Sequence, residues 1–289
     1  MILIADSGST KCNWVLCEKN GFLKEEINTI GFNPYFINQK DILSHLKKSK
    51  LSVYKNNISN IFFYGAGCSS EDKNKIIERA FQKFFTNAKI IIKHDIEAAC
   101  YATYNGSPNI TCILGTGSNS CYYDGKNIEE NAPSLGFLLG DEASGNYFGK
   151  KILTLYFNKA LPEELMTKFE SRFENNISII KENIYNNSRA NVYLSKYFPF
   201  ISENKNHPLI QNLILNALDN FFILHILCYK NYKEAKINFI GSVAYFLSEE
   251  INITIKKHKC KKGLIIKRPI KNLVNYHFNN EKLSTHLFY

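Results

Sequence analysis

Ile2-Leu3-Ile4-Ala5-Asp6-Ser7-Gly8-Ser9-Thr10-Lys11 opens the chain with an apolar run, a carboxylate and a turn of small hydroxylated residues, and the apolar-rich stretch Asn13–Glu18 follows. A short unbroken apolar run reads as a buried strand, and the turn joins it to the next stretch as a hairpin. The same order returns at Ile110–Leu114, which leads into Gly115-Thr116-Gly117-Ser118-Asn119 and then Ser120–Tyr123. A second echo pairs Phe62-Phe63-Tyr64-Gly65-Ala66 with Asn238-Phe239-Ile240-Gly241-Ser242. This internal duplication predicts an α/β fold of two similar lobes, each a mixed β-sheet flanked by helices, with a ligand cleft between them. Asn105-Gly106-Ser107-Pro108 is the strongest boundary signal, which gives lobes of 1–105 and 106–289. The last predicted helix, Ile270–His277, is free to pack back on the first lobe.

Periodicity fills in the rest. Strands are predicted at Phe22–Ile30, Ile58–Tyr64, Ala88–Lys93, Ile237–Ile240 and Leu264–Lys267. Helices are predicted at Asp41–Lys48, Glu71–Phe85, from Asp95 to Tyr104, from Asp141 to about Phe157, through much of Pro162–Lys230, and at Val243–Lys257.

The net charge of +10 over 289 residues admits anionic ligands, nucleic acid or membrane surfaces. The one dense basic run, Lys256–Lys262, has no interleaved aromatics and reads as a solvated helix end, so no nucleic-acid partner is expected. No apolar window reaches the roughly 18 residues of a membrane span. The eight cysteines show no Cys-x-x-Cys spacing, which fits free thiols and no zinc site. Met1–Ala5 is too short for a signal segment, and a cytoplasmic protein is expected.

The two glycine-hydroxyl turns expose backbone N–H groups suited to phosphate oxygens. Neither is a Walker loop or a Gly-x-Gly-x-x-Gly fingerprint. Asp6 either closes a turn or holds Mg²⁺ through waters. Asp95, at a strand end where a helix begins, is an N-cap or a general base. In Gly136-Phe137-Leu138-Leu139-Gly140-Asp141-Glu142-Ala143-Ser144-Gly145, Asp141 and Glu142 either open the helix or supply a carboxylate to a polyol. Asn33, before Pro34, makes a turn or holds a sugar hydroxyl through donor and acceptor together.

Taken in order, Asp6-Ser-Gly-Ser-Thr-Lys, Gly-Phe-Asn33-Pro, Tyr-Gly-Ala-Gly67, His-Asp95, Leu-Gly-Thr-Gly-Ser-Asn119, Gly-Asp141-Glu-Ala-Ser-Gly and Ile-Gly-Ser242-Val resemble the N-acetylglucosamine kinase branch of the actin-like ATPase and sugar kinase superfamily. The resemblance spans nearly the whole chain. It implies a ribonuclease H-like duplicated fold, ATP and Mg²⁺ as cofactors, a small-molecule sugar as partner and a homodimer through the helical second half. By motif match, Gly8, Ser9, Thr10 and Lys11 form the first phosphate loop, and Gly115, Thr116 and Gly117 the second. Gly241 and Ser242 fall near adenosine, and Asp6 at the metal. Asp95 becomes the base for the sugar's 6-hydroxyl, while Asn33, Ser118, Asn119, Ser134, Leu135, Gly136 and Asp141 line the sugar.

Three positions depart from the family pattern. Asn13 stands where Asp is expected, Ala143 where Gly is expected, and Leu135 where an aromatic is common. Two other readings use the same fold: a non-catalytic sugar or nucleotide sensor, and an ATPase activator of an acyl-CoA dehydratase. The second requires cysteines that share an iron–sulfur cluster, and only Cys112 and Cys121 flank a phosphate loop.

Overall fold

The computed structural model describes residues 1–279. By contacts these divide into two compact units, Met1–Ser107 with the described residues from Arg268 on, and Pro108–Lys267. Residues 280–289, the end of the expected second lobe, lie outside the described residues.

The first unit is built on β1 (Ile2–Ser7), β2 (Lys11–Cys17), β3 (Leu23–Ile30), β4 (Asn60–Gly65) and β5 (Lys89–His94). They form one sheet in the order β3-β2-β1-β4-β5. The hairpin strands run antiparallel, while β1, β4 and β5 run parallel. Parallel strands covered on both faces read as continuous apolar runs, which is why Ile2–Ala5 shows no alternation. Leu3 and Ala5 enter the core that holds Trp14, Phe63 and Phe81, whereas Ile2 and Ile4 enter the opposite one with Phe62, Ala98 and Leu273. Helices Gln39–Lys48 and Glu71–Phe84 cover the former, and Asp95–Thr103 with Ile270–Asn279 cover the latter. Asn272 Nδ2 donates to Ala102 O at 3.0 Å and ties those two helices together.

The second unit repeats the plan. Its strands are β6 (Asn109–Leu114), β7 (Ser118–Tyr123), β8 (Ile128–Glu129), β9 (Lys236–Ile240) and β10 (Lys261–Ile266). The order β8-β7-β6-β9-β10 matches that of the first sheet strand for strand, again with an antiparallel meander and three parallel strands. Seven helices separate β8 from β9, and their apolar faces supply Phe148, Phe169, Phe200, Ile214 and Phe221 to one core.

Boundaries differ from the sequence reading in several places, and the last strand begins at Lys261 rather than at Leu264. Ser118 and Asn119 belong to β7 rather than to the turn, because Leu114 pairs with Ser118 and closes the hairpin on three residues. The predicted helix Val243–Lys257 is two, Ser242–Phe246 and Ser248–Lys257, broken at Leu247, with Glu249 and Glu250 in the first turn of the second. Acidic residues are favoured at a helix start by the N-terminal positive dipole, so that pair marked a fresh start. The helix expected from Asp141 begins only at Gly145.

Among the described residues no helix is long and apolar enough to cross a membrane. Seven of the eight cysteines are buried or partly so.

Candidate active site

Parallel strands bring their carboxyl ends to one edge of a sheet, which is where α/β folds place ligands. In the first unit Ser7 pairs with Gly65, and Gly65 with His94. The turn after β1, the turn Gly65-Ala66-Gly67 and the His94-Asp95 junction therefore share one edge.

The first turn is short and fully braced. Gly8 N donates to Lys11 O at 3.0 Å, and Gly31 N to Thr10 O at 3.0 Å. Ser7 Oγ accepts from Phe32 N at 2.9 Å. A side chain on Gly31 would place its Cβ 1.9 Å from Gly8 O, so this position must be glycine for the turn to seat. Sequence reading missed Gly31, although Gly-Phe-Asn-Pro was on view. Asn33 is buried, donates from Nδ2 to Ser9 Oγ at 2.9 Å, and accepts at Oδ1 from Tyr35 N at 3.0 Å. Thr10 and Lys11 face solvent.

Asp6 lies opposite Asn13 in the β1–β2 register. Loss of water around it, then the charge of Asp95, raises its carboxyl from 3.8 to about 7, against a hydrogen bond from Asn13 and the charge of Arg268. The amide at Asn13 thus relieves a carboxylate crowding that aspartate there would deepen. Asp95 is the first residue of helix Asp95–Thr103, and His94 takes the cap position with no side-chain cap bond. The N-cap reading of Asp95 is thereby corrected: its carboxylate lies 3.3 Å from His94 Nε2 and is not committed to its own helix.

In the second unit Ile113 pairs with Ile240, so the turn Gly115–Gly117 and the turn Gly241-Ser242 share the equivalent edge. Gly115 N donates to Gly117 O at 2.9 Å, Gly145 N to Gly115 O at 2.8 Å, and Asn146 N to Thr116 O at 3.0 Å. Asn146 Nδ2 reaches both Thr116 O at 2.7 Å and Asp141 Oδ2 at 2.6 Å. Asp141 Oδ1 accepts from Ser118 N at 3.1 Å. Asn146 is a brace that nothing in its sequence context signalled.

Asp141 does not cap the following helix. That corrects the capping reading: Ser144 is the cap, its Oγ accepting from Tyr147 N at 3.3 Å. Asp141 instead has a left-handed backbone, φ +59°, and its carboxylate closes the second turn. Burial raises its pKa, against the Asn146 and Ser118 hydrogen bonds. A Cβ on Gly117 would sit 2.9 Å from both Asp141 oxygens. Ser118 and Asn119 are buried, and the Ser118 hydroxyl has no protein partner. Asn119 Oδ1 accepts from Ser120 N at 2.8 Å. Ser134 and Leu135 are exposed, and Gly136, φ +71°, starts the short helix Gly136–Leu139. The Leu135 Cβ lies 3.2 Å from where Gly140 would carry one, which brings this stretch to the Asp141 turn. Ser242 opens helix Ser242–Phe246.

Gly241 has φ +125°, and a Cβ there would meet Leu114 O at 2.1 Å. Gly241→Ala is expected to lower stability by about 2–4 kcal/mol, since both backbone conformation and space forbid the methyl. Urea unfolding reads the loss, and an unchanged midpoint would show that the turn has slack.

Cys112 and Cys121 are both fully buried in the core, so neither offers a thiol at the surface beside the second turn. Among the described residues no group of three or more His, Cys, Asp or Glu side chains is placed to hold a metal ion. Mg²⁺ needs less, because it keeps several waters and takes one or two carboxylates beside substrate phosphates. Asp6, crowded by Asp95, has the hard oxygen donors for that role, and a cation there would relieve the crowding.

Neither a protein-family model nor a curated protein matches the chain. Among solved structures it is similar to a candidate N-acetylglucosamine kinase from Porphyromonas gingivalis, at 33% identity and TM-score 0.89, over 97% of this chain and 99% of that one. A candidate N-acetylglucosamine kinase from Chromobacterium violaceum matches at 14% identity and TM-score 0.61, over 95% of this chain and 98% of that one. A ROK family glucokinase from Streptomyces griseus, solved with glucose and AMPPNP, matches at 11% identity and TM-score 0.54, over 95% and 97%. The last two are likenesses of fold alone.

Proposed function

The chain belongs to the N-acetylglucosamine kinase branch of the actin-like ATPase and sugar kinase superfamily, and we propose that it transfers the terminal phosphoryl group of ATP to the 6-hydroxyl of N-acetylglucosamine. The observation that carries the reading is Asp95. Its carboxylate stands at the carboxyl edge of the first sheet and is not spent on capping its helix. An acceptor of that kind can take the proton of a sugar hydroxyl as the new bond to phosphorus forms.

Phosphoryl transfer depends on positioning and on neutralising charge that spreads over the transferring group. In this reading the amides and hydroxyls of Gly8, Ser9 and Thr10, with the Lys11 ammonium, hold phosphate oxygens. Gly115, Thr116 and Gly117 do the same from the second unit, and Gly241 with Ser242 lies at the adenosine. The rigid bracing of both turns supports this, because a cradle preorganised for anions loses little order when it fills. Mg²⁺, held by Asp6 through water, would add positive charge at the phosphates.

The sugar falls to Asn33, Ser118, Asn119, Asp141 and the turn Ser134-Leu135-Gly136. Ser118 supports the assignment: its buried hydroxyl, beside the Asp141 carboxylate, has a hydrogen bond left to make. Ala143, where glycine was expected, does take a left-handed φ of +56° and is strained there, and burial of its methyl offsets only part of the cost. That burial returns about 0.8 kcal/mol against a left-handed penalty of about 1–2 kcal/mol.

The test is ADP release from Mg-ATP with N-acetylglucosamine, glucosamine, N-acetylmannosamine, N-acetylmuramic acid or glucose. N-acetylglucosamine is expected to drive release well above the no-sugar rate. Thermal stabilisation by ATP with no sugar turned over would overturn the kinase reading in favour of a sensor.

A further inference from the structure

Gly140–Ser144 contains two non-glycine residues with left-handed backbone, Asp141 at φ +59° and Ala143 at φ +56°. Such residues persist only where their surroundings over-determine them. Asp141 is fixed by its own carboxylate through Ser118 N and Asn146. Glu142, between the two strained residues, is fixed from elsewhere: its Oε2 lies 2.9 Å from His225 Nε2. His225 ends helix Pro208–His225 and is only 6% exposed. Its ring stacks on Phe221, with centroids 4.8 Å apart and 18° between planes. Its Nδ1 is buried and has no partner, so the bond to Glu142 is the ring's polar anchor. His225 O also accepts from Ser120 Oγ at 2.7 Å, and Ser120 follows Asn119 in β7. One residue therefore braces β7 through its backbone and the Asp141 turn through its ring.

We propose that His225 is a positioning residue for the sugar: by holding Glu142 it keeps the strained Asp141 turn in the one conformation that presents the Asp141 carboxylate and the Ser118 hydroxyl together. The inference rests on the reading of Asp141 and Ser118 as sugar contacts. His225 touches neither ATP nor sugar in this account, and acts only through Glu142.

His225→Asn and His225→Gln separate the bond from the bulk. Both are polar, but the glutamine amide reaches the position of Nε2, whereas the asparagine amide stops near that of Nδ1. His225→Asn is expected to raise the KM for N-acetylglucosamine at least tenfold while the KM for ATP stays within about twofold. His225→Gln is expected to stay within about threefold of wild type in both. Hydrogen exchange on the protein without ligands gives a readout independent of turnover: the amides of Ser118 and of residues 141–144 should exchange at least tenfold faster in His225→Asn and not in His225→Gln, with Asp95–Thr103 unchanged. Unaltered sugar KM and unaltered exchange in His225→Asn would overturn the proposal. So would parallel loss of sugar and ATP binding, which marks general loosening. Should wild type turn over no sugar at all, the kinase reading fails by itself, and the exchange result still decides whether His225 clamps the turn.

Discussion

Asp95→Asn is expected to lower kcat by about 10²–10⁴-fold, the usual contribution of a positioned general base. Unfolding stability should stay within about 1 kcal/mol of wild type. Two effects of opposite sign set that second figure. Asp95 is the first residue of its helix, where a negative charge is worth about 0.3–1 kcal/mol against the dipole. The same charge raises the Asp6 carboxyl, so its removal relieves a repulsion at the other side of the edge. No cap hydrogen bond is lost, because Asp95 makes none. The sugar KM should move little, since asparagine keeps one acceptor oxygen in place. Steady-state kinetics beside a urea titration separate the two quantities. Activity within tenfold of wild type would move the base to another residue, and a large stability loss with unchanged kcat would return Asp95 to a structural role.

The duplication was legible because each half begins with the same local grammar. A buried apolar run, a turn of glycine and hydroxyl residues and a second strand recur at Ile2 and at Ile110, and the two sheets follow the same strand order. The turns were legible for the same reason: few residue types permit so tight a return. What the sequence could not display were the braces. Asp141 reads as a helix-opening carboxylate, because left-handed backbone is uncommon for any residue but glycine, while acidic residues are common at helix starts. The structure gives it left-handed geometry instead, and the capping falls to Ser144. Asp95 has the same history, with His94 in the cap position. In both cases a local rule assigned a carboxylate to its nearest helix, and the tertiary environment released it. The pair Glu142–His225 lies 83 positions apart and Tyr64–His277 213 apart, beyond any periodicity or spacing argument. Gly31 was visible but silent, since its requirement comes from the carbonyl of Gly8 across the hairpin.

His277→Gln is expected to flatten the acid side of the stability profile by up to about 3 kcal/mol. His277 lies on helix Ile270–Asn279, its ring 4.2 Å from that of Phe62 and its Nε2 3.0 Å from the Tyr64 hydroxyl. Burial, then the charge of Lys93, lowers its pKa from 6.5 to about 4. The other polar groups of the cluster are already engaged: Lys93 with Glu97 at 2.5 Å, Tyr101 with Glu97 at 3.1 Å, and Tyr276 stacked on Tyr101 at 4.5 Å. A depressed histidine is neutral in the folded state while the unfolded chain binds a proton below pH 6.5. The unfolded state therefore holds more protons between pH 6.5 and 4, and stability from this group falls as pH falls through that window. At about 1.36 kcal/mol per unit, two and a half units give the figure above. Glutamine keeps a partner for the Tyr64 hydroxyl but does not titrate, so the difference in unfolding free energy between variant and wild type should change steadily from pH 7 to pH 4. A difference that stays constant with pH would show that His277 titrates normally. The cluster lies near the candidate site, since Tyr64 directly precedes Gly65 on β4 and Lys93 on β5 stands two residues before Asp95.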